Sequence, residues 1–387
     1  MPLSTFIGFA KAPDGREAGS QAVLQALDQA GRSPLIFGIL IASHNLPFDQ
    51  VFSGAGALLG DIPLVGFSTS AEITSGGVQQ RSVVIALISG TDVGVHSEFW
   101  PGFGEDSRAT CLKMVQELLP RHPKGTLFAV ADGFHGDPKE LCSSLMEGDY
   151  TLAGCLAGGE LRQAHTFQLG GRQCGSGGLA AAFLSGKITS SVGLGHGWEE
   201  AGVFFQITRV RGSWIRALNN QTVAEAYSRW LGYQPRDWPF PPLNELVRLY
   251  PLGIEKDDKK SLQVRSPLRM ESDGSLRMHT TLAEGSTAHL LVGNAESCLK
   301  SAEQAALQAL NTLGTARPVL AIVLPDVAWQ NLLETQPGAE VAAIRNVLGP
   351  NIPIIGGYTY GQFANPNHSA EFFNQHIEVL LLAEPAE

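Results

Sequence analysis

Apolar residues in this chain follow two patterns: short continuous runs bounded by turn residues, and longer segments with apolar positions three and four apart. The continuous runs are apolar on both faces, as buried strands are, and occupy 35–42, 126–131 and 318–324. The spaced segments predict helices at 18–30, 107–119 and 295–313. Asp106 or Ser107 would be an N-cap and Gly314 a C-cap. The alternation of strands and helices favours an α/β fold.

One pattern occurs three times: an apolar run, a glycine, a short small-residue or hydroxyl-rich turn and a carboxylate or amide side chain. The copies occupy 61–72, 149–160 and 351–362, with their glycines at Gly66, Gly154 and Gly356. A further apolar run follows each copy, at 82–90, 178–186 and 377–383. An internal repeat of this kind indicates a molecule built from copies of one supersecondary unit.

Three repeat units are therefore predicted, at 5–90, 93–186 and 286–384. Each reads as strand, helix, strand, helix-like linker, strand, turn and strand, with first strands at 6–9, 93–96 and 289–292. We expect mostly parallel or mixed sheets, in which the strand after the turn returns antiparallel because a short turn leaves no room for a crossover.

An α+β insert is predicted between units two and three, at 187–285. It contains strand patterns at 203–208 and 214–218, and a helix at 222–231 that Asn219 and Asn220 would cap. A charged exposed loop is expected at 255–260 and a hairpin turn at 270–276.

Composition narrows the classes of function. The 387 residues carry a net charge of −10, which argues against nucleic acid and anionic membrane surfaces as partners. No apolar run approaches the roughly 20 residues of a membrane helix, and the start of the chain lacks a signal-peptide pattern. The five cysteines form no CxxC pair, which favours a reducing cytoplasm. A charged content of only 17% suits a large buried sheet and is compatible with a homo-oligomer.

The repeated turns supply the first candidate ligand-binding residues. Open amides beside the glycine could bind an anion, hydroxyl groups could donate or accept, and a glutamate could bind an ammonium group. The candidates are Gly66, Ser68, Thr69, Glu72, Glu160, Thr359 and Gln362. The alternative is structural, because glycines supply bends and polar side chains satisfy tight buried turns. A motif present three times favours this alternative.

Three histidines supply the second set of candidates. His196 lies in a Gly-His-Gly-Trp segment, where it could ligate haem iron or bind a carboxylate while Trp198 stacks on a flat ligand. His44 and His135 follow the upstream strands of units one and two, near the carboxyl ends where α/β folds place ligands. The alternatives are a packed turn at 195–198 and solvated loop histidines. No CxxCH motif is present, so any haem would be bound noncovalently.

Five segments in order resemble the FIST proteins, with a FIST N-terminal domain at 1–195 and a FIST C-terminal domain at 196–387. They lie at 66–73, 195–198, 207–208, 218–227 and 356–363. The resemblance implies a sensory module that binds a small ligand, for which amino acids have been proposed, and signals to partners such as histidine kinases or cyclic-di-GMP enzymes. Some members of the family are haem proteins that sense nitric oxide.

The chain departs from the family pattern in two places. Residues 324–329 lack the Cys and Arg that usually follow the strand of the last unit, and Gln362 replaces the usual Glu.

Three hypotheses of function follow. The first is a cytoplasmic, non-catalytic ligand sensor in signal transduction, the second a haem-based nitric oxide sensor, and the third a protein-interaction scaffold without a ligand. The motifs of common enzyme classes (GxSxG, Walker loop, HExxH) are missing from the sequence.

Overall fold

The computed structural model describes residues 1–119, 124–145, 148–160, 164–256 and 261–386. Most of the loop predicted at 255–260 lies outside these residues. The chain forms two compact bodies. We call Met1–Gly195, Leu299–Phe372 and His376–Glu387 the three-repeat body, and His196–Cys298 with Phe373–Gln375 the inserted body.

Repeats one and two have the same order of elements. Repeat one consists of β1 (Ser4–Ala10), α1 (Gly15–Ala30), β2 (Leu35–Ser43), α2 (Phe48–Leu59), β3 (Leu64–Thr69), β4 (Glu72–Thr74), β5 (Gly77–Gln79) and β6 (Val83–Ser89). Repeat two consists of β7 (Val93–Trp100), α3 (Ser107–Leu118), β8 (Lys124–Ala131), α4 (Pro138–Ser144), β9 (Asp149–Leu156), β10 (Gln168–Gly171), β11 (Gln173–Gly175) and β12 (Leu179–Gly186).

The remaining elements belong to repeat three and to the inserted sequence. After β13 (Thr189–Gly195) come β14 (Trp198–Arg211), β15 (Trp214–Leu218), α5 (Val223–Leu231), α6 (Leu243–Leu246), β16 (Leu252–Glu255), β17 (Leu262–Arg265), β18 (Pro267–Met270), β19 (Leu276–Met278) and β20 (Thr287–Gly293). The 3₁₀ turns Pro235–Asp237 and Val247–Leu249 flank α6. Repeat three continues with α7 (Ala295–Leu313), β21 (Arg317–Pro325), α8 (Val327–Leu332), α9 (Ala339–Leu348), β22 (Ile354–Gly357), β23 (Gln362–Ala364), β24 (Glu371–Phe373) and β25 (Ile377–Glu384).

The three-repeat body contains three six-stranded sheets. Their strand orders are β1-β6-β2-β3-β10-β11, β24-β23-β9-β8-β12-β7 and β13-β25-β21-β22-β4-β5. In each sheet one pair is parallel, namely β2–β3, β8–β9 and β21–β22. The predicted α/β class with mixed sheets is confirmed, as is the antiparallel return of β6, β12 and β25. Of the two expected arrangements, mixed sheets are observed and mostly parallel sheets are not, because each unit has a single crossover connection and otherwise short returns.

The three repeats exchange their hairpins. Hairpin β4–β5 of repeat one pairs with β22 of repeat three, through Gly356 and Ile73. Hairpin β10–β11 of repeat two pairs with β3 of repeat one. Strand β23 of repeat three pairs with β9 of repeat two. Each sheet is therefore completed by strands from another repeat, and no repeat has a complete sheet of its own.

The strand predicted at 289–292 forms as β20, but the first strand of repeat three is β13. Strand β13 pairs antiparallel with β25, as β1 pairs with β6 and β7 with β12. A strand does form at the predicted place, β20, but it pairs with β14 in the inserted body. Helix packing agrees with this assignment. A Cβ on Gly193 of β13 would lie 1.8 Å from the carbonyl oxygen of Ala305 in α7, and one on Gly8 of β1 would lie 1.7 Å from that of Ala22 in α1.

Side-chain caps fix where several helices begin. The Asp106 carboxylate accepts from the amide of Ala109 at 2.9 Å, as predicted for α3. For α5 the cap is Thr222, which forms a capping box with Glu225. The predicted caps, Asn219 and Asn220, instead occupy a turn with positive φ angles of 49° and 62°, as asparagine tolerates.

The core of the three-repeat body is shared by all three sheets. One apolar cluster includes Phe37 and Phe67 of repeat one, Phe128 of repeat two and Ile322 and Leu380 of repeat three. Within the described residues, no helix has the length and apolarity that crossing a membrane requires.

The inserted body has one sheet, β17-β16-β20-β14-β15-β19-β18, and its own core. Tyr227 and Trp238 are among the largest buried side chains there. The predicted strands, helix and hairpin turn of the insert are confirmed as β14, β15, α5 and the pair β18–β19.

Candidate functional site

The three repeated glycines occupy equivalent positions in the parallel strand pairs. Gly66, Gly154 and Gly356 stand opposite Leu40, Ala129 and Val323. A Cβ at these glycines would lie 2.3, 1.9 and 1.8 Å from the carbonyl oxygens of those three residues. Because real Cβ atoms cannot come so close to an oxygen, glycine is required for the strands to approach each other.

In repeat one the turn after the glycine closes a buried hydrogen-bond network. The Thr69 hydroxyl donates to Glu72 Oε1 at 2.8 Å. The amide and hydroxyl of Ser82 donate to Glu72 Oε2 at 3.0 and 2.6 Å. All three side chains are inaccessible to solvent. Burial raises the pKa of Glu72 to about 7, and the hydrogen bonds from Ser82 and Thr69 oppose that rise.

Repeats two and three place glutamines where repeat one has Glu72. Gln362 Nε2 donates to Thr359 Oγ1 at 3.2 Å, and Gln168 Nε2 donates to Thr166 Oγ1 at 3.0 Å. The amide of Gly178 donates to Gln168 Oε1 at 3.1 Å, as that of Ser82 does to Glu72. Gln168 is thus the spatial counterpart of Glu72. The sequence repeat does not align the two residues, because the turn of repeat two is longer. The half-buried Glu160, which the sequence aligns with Glu72, lies within that longer turn.

Two further polar groups connect these turns. Ser68 Oγ donates to the carbonyl oxygen of Gly158 at 2.8 Å and accepts from the amide of Phe167 at 2.9 Å. The buried Asp132 accepts through Oδ1 from the amides of Phe134 and His135 and through Oδ2 from Thr166 Oγ1 and the Gly177 amide. Sequence reasoning missed Asp132, which directly follows β8.

Apart from Glu160, the candidate ligand residues of the repeats thus lie in the interior of the three-repeat body. Gly66, Ser68, Thr69, Glu72, Thr359 and Gln362 are all buried. Their hydrogen bonds run to other protein groups, so in this conformation the network ties the turns together.

The three predicted histidines lie in different elements and have different partners. His44, at the end of β2, is half-buried and its Nδ1 lies 3.0 Å from the carbonyl oxygen of Thr69. His135 has a half-exposed side chain with Nδ1 3.1 Å from Asp132 Oδ1. His196 is exposed and belongs to the inserted body, where its Nδ1 accepts from the amide of Trp198 at 3.3 Å.

Trp198 leads to a chain of buried polar groups in the inserted body. Its indole Nε1 donates to the carbonyl oxygen of Gln375 at 2.9 Å. Gln375 Nε2 in turn donates to the carbonyl oxygen of Arg248 at 2.7 Å and to Ser266 Oγ at 2.9 Å. The amide of His279 donates to the carbonyl oxygen of Ser266 at 3.3 Å. Separate segments of the chain therefore meet at Gln375.

Three arginines and a histidine belong to or adjoin this chain of contacts, and we call them the cationic cluster after the arginines: Arg248, Arg265, Arg277 and His279. Arg248 and Arg265 are only 7% and 3% exposed. Desolvation, with Arg248 and Arg277 nearby, lowers the pKa of His279 to about 3, so that its imidazole is neutral at pH 7. Sequence reasoning missed the cluster, because no local motif joins positions 248, 265, 277 and 279.

A search of the described part of the chain finds no group of three or more His, Cys, Asp or Glu side chains placed to hold a metal ion.

Two family models match the sequence. The FIST N domain matches residues 36–221 and the FIST C domain matches residues 224–365. No protein with a curated description matches the chain.

Solved structures resemble the fold only distantly. A cyanuric acid hydrolase aligns with 100% of both chains at 7% identity and a TM-score of 0.38. A cyanuric acid hydrolase from A. caulinodans aligns at 8% identity and a TM-score of 0.36, covering 99% of this chain and 100% of that one. PurLQS from Thermotoga maritima aligns at 11% identity and a TM-score of 0.24, covering 99% of this chain and 72% of that one. These scores are too low to carry a functional argument.

Proposed function

Since the chain belongs to the FIST family, whose domains bind small ligands in signalling proteins, we propose that it is a non-catalytic sensor with its ligand site in the inserted body. The ligand is a small carboxylate-bearing molecule, as amino acids are. The observation that carries this proposal is the chain of buried polar groups from Trp198 through Gln375 to the carbonyl oxygen of Arg248 and the hydroxyl of Ser266.

The chemistry of this site suits a carboxylate. Guanidinium groups bind carboxylates through paired, charge-assisted hydrogen bonds. Trp198 is 5% exposed and is anchored by the hydrogen bond from its indole Nε1 to the carbonyl oxygen of Gln375. Buried polar groups at the meeting point of several segments are also where a bound molecule would alter how those segments pack. A signalling protein such as a histidine kinase would then read that change.

Two further features agree with the proposal. The interior network around Thr69 and Glu72 is closed to solvent and satisfied by protein groups. The five cysteines are free thiols, as expected of a protein that works in the cytoplasm, where we propose that this one acts.

The test is thermal unfolding of the full chain against a panel of amino acids and organic acids. A site ligand at about 100 times its Kd should stabilise the protein by about 2.7 kcal/mol. Trp198→Phe removes the indole donor to Gln375 and should weaken binding about tenfold. Trp230→Phe is the matched control, because Trp230 is 60% exposed on α5. If no panel member stabilises the chain, a scaffold without a ligand replaces this proposal.

Haem-based sensing of nitric oxide is the second candidate, and one observation favours it. His44 is held through Nδ1 by a backbone carbonyl, which is how metal-bound histidines are commonly oriented, and Nε2 is then the nitrogen that would ligate iron. An absorption spectrum of protein from haem-supplied cells tests it. A Soret band that shifts with nitric oxide and is lost in His44→Ala, but not in His135→Ala, supports the candidate. A colourless protein refutes it.

A further inference from the structure

Four neighbouring strands of the inserted body carry a row of three arginines and one tryptophan. Arg211 of β14 is paired with Trp214 of β15. Trp214 is also paired with Arg277 of β19, and Arg277 with Arg269 of β18. Directly paired residues of neighbouring strands point to the same face of a sheet. Since strands lie about 4.8 Å apart, these four residues, which we call the arginine row, form a line roughly 14 Å long on one face.

The arginine row lies on the face of the sheet that is turned away from the core. Core residues adjoin it along three strands, namely Ile215 in β15, Met270 in β18 and Leu276 in β19. Successive side chains of a strand alternate between the two faces, so the row occupies the opposite face. Arg211 is exposed and forms no ion pair with any described residue. Because 46% of the Arg269 side chain is also accessible to solvent, a partner can reach both ends of the row.

Contacts within the row hold its side chains in place. The Arg277 guanidinium lies over the Trp214 ring, 5.3 Å from its centroid. The indole Nε1 of Trp214 donates to Glu271 Oε1 at 3.2 Å, and Arg269 Nε donates to the same oxygen at 3.1 Å. These contacts order the surface before a partner binds, which lowers the entropy cost of binding.

Positive charge exceeds negative charge around the row. The hairpin segments 209–216 and 269–277 contain five arginines and two carboxylates, those of Glu271 and Asp273. A third carboxylate, that of Glu284, accepts a hydrogen bond from the backbone of β14 at 2.7 Å. The surface is thus cationic, although the whole chain carries a net charge of −10.

We propose that the arginine row is a docking surface for an acidic segment of a partner protein, one that bears several Asp or Glu side chains. Guanidinium groups bind carboxylates through paired hydrogen bonds, and arginine and tryptophan dominate the binding energy of many protein interfaces. The inference goes beyond the proposed function, because it does not depend on which ligand the sensor binds. Arg277 also belongs to the cationic cluster, so the partner would contact a residue that adjoins the proposed ligand site.

A short acidic segment fits this surface better than a nucleic acid does. The row is only roughly 14 Å long, and exposed charges are screened beyond about 8 Å at physiological salt. A short peptide therefore interacts mainly with the arginines. A long polyanion would extend past the row and meet the rest of a chain whose net charge is −10.

Fluorescence anisotropy of a dye-labelled octapeptide of alternating glutamate and serine tests the proposal on the full chain without any small ligand. We expect binding at low salt that weakens at least about fivefold in about 0.2 M NaCl. An octapeptide of alternating lysine and serine with the same dye should not bind. Failure of the acidic peptide to bind overturns the proposal and leaves the proposed ligand site standing. Tighter binding of an oligodeoxythymidylate than of the peptide would indicate a nucleic acid partner and overturns the proposal as well.

Two variants then assign the binding to the row. Arg211→Glu reverses an exposed charge at one end and should weaken binding of the acidic peptide at least about tenfold. Arg269→Gln removes the charge at the other end and should weaken it about threefold. Far-UV circular dichroism shows whether each variant is folded.

The matched control is Arg229→Glu, which reverses an exposed charge on α5. This helix packs in the core on the other face of the sheet, so the variant should change the affinity for the peptide less than about twofold. Equal losses of affinity in Arg211→Glu and Arg229→Glu would show a general attraction to the inserted body and would overturn the assignment to the row.

Discussion

Single residues at equivalent places in the repeats act as natural substitutions of one another. Glu72 stands where repeats two and three have Gln168 and Gln362, and all three keep a hydrogen bond to a threonine hydroxyl. A glutamine can donate to that hydroxyl and still accept from the following amide, as Gln168 does from Gly178. The negative charge of Glu72 is thus unnecessary for the turn.

Glu72→Gln should therefore fold and flatten the dependence of stability on pH. The pKa of Glu72 is raised from 4.5 to about 7, so the folded state binds its proton more tightly than the unfolded state. This residue's contribution is complete below pH 4.5 and falls by roughly 3 kcal/mol as pH rises to 7. Urea unfolding of wild type and variant at pH 4.5 and 8 measures it. Parallel pH profiles for the two proteins would contradict the prediction.

Glu378 presents a second buried carboxyl group in the shared core. Its Oε1 accepts from the amide of Gly154 at 3.0 Å, and within the described residues its Oε2 has no hydrogen-bond partner. Burial raises the pKa of Glu378 well above its ordinary value, so its stabilising contribution is greatest at acid pH and is lost as pH rises.

Glu378→Gln should reverse the order of stabilities with pH. The variant keeps an acceptor for Gly154 but adds an amide donor, at a cost of about 1–3 kcal/mol. We expect it to be less stable than wild type at pH 4.5 and more stable at pH 9. Denaturant midpoints at the two pH values provide the measurement, and a variant that is weaker at both would be inconsistent with a protonated Glu378.

Among the elements, the parallel strand pairs depend on glycine. Gly356→Ala would place a methyl group 1.8 Å from the carbonyl oxygen of Val323, so the strands must separate. We expect a loss of more than about 3 kcal/mol in unfolding free energy. The matched control is Gly56→Ala in α2, where the nearest atom, Phe52 Cε2, is 3.7 Å away. That variant should gain about 0.5–1 kcal/mol. Similar stabilities for the two variants would contradict the packing argument.

The sequence predicted the positions of strands and helices better than it predicted which strands pair. Apolar runs and helical spacing located the repeats, most strands and helix α7, because these depend on local periodicity. Pairing could not be read in the same way. Strand β13 has a weak pattern, and β20 has a clear one, yet only β13 belongs to a repeat sheet. The role of Gln168 could not be predicted, because the longer turn moves it out of register with Glu72. The cationic cluster could not be predicted, because Arg248 and His279 are far apart along the chain.

At the scale of the whole molecule, we expect the three-repeat body to fold without the inserted sequence. Gly195 lies beside Ser301, since a Cβ there would be 2.5 Å from the Ser301 oxygen, and Trp198 pairs with Gly293. Replacing 197–297 by a short Gly-Ser linker should leave a three-repeat body that unfolds cooperatively but does not bind the ligand of the inserted body. A fragment of residues 1–92 is the contrasting control and should stay unfolded, since β4–β5 pairs in another repeat. Thermal melts followed by circular dichroism distinguish these outcomes; a disordered deletion variant would contradict them.

The exchange of hairpins also determines the order in which the sheets can be completed during translation. Hairpin β4–β5 is synthesised within the first repeat, but its partner β22 is made only near the end of the chain. The sheet of repeat one can be completed as soon as β10 and β11 leave the exit tunnel, whereas that of repeat two must wait for β23. A nascent chain thus carries an unpaired strand edge through most of its translation, the period in which chaperones would protect it from aggregation.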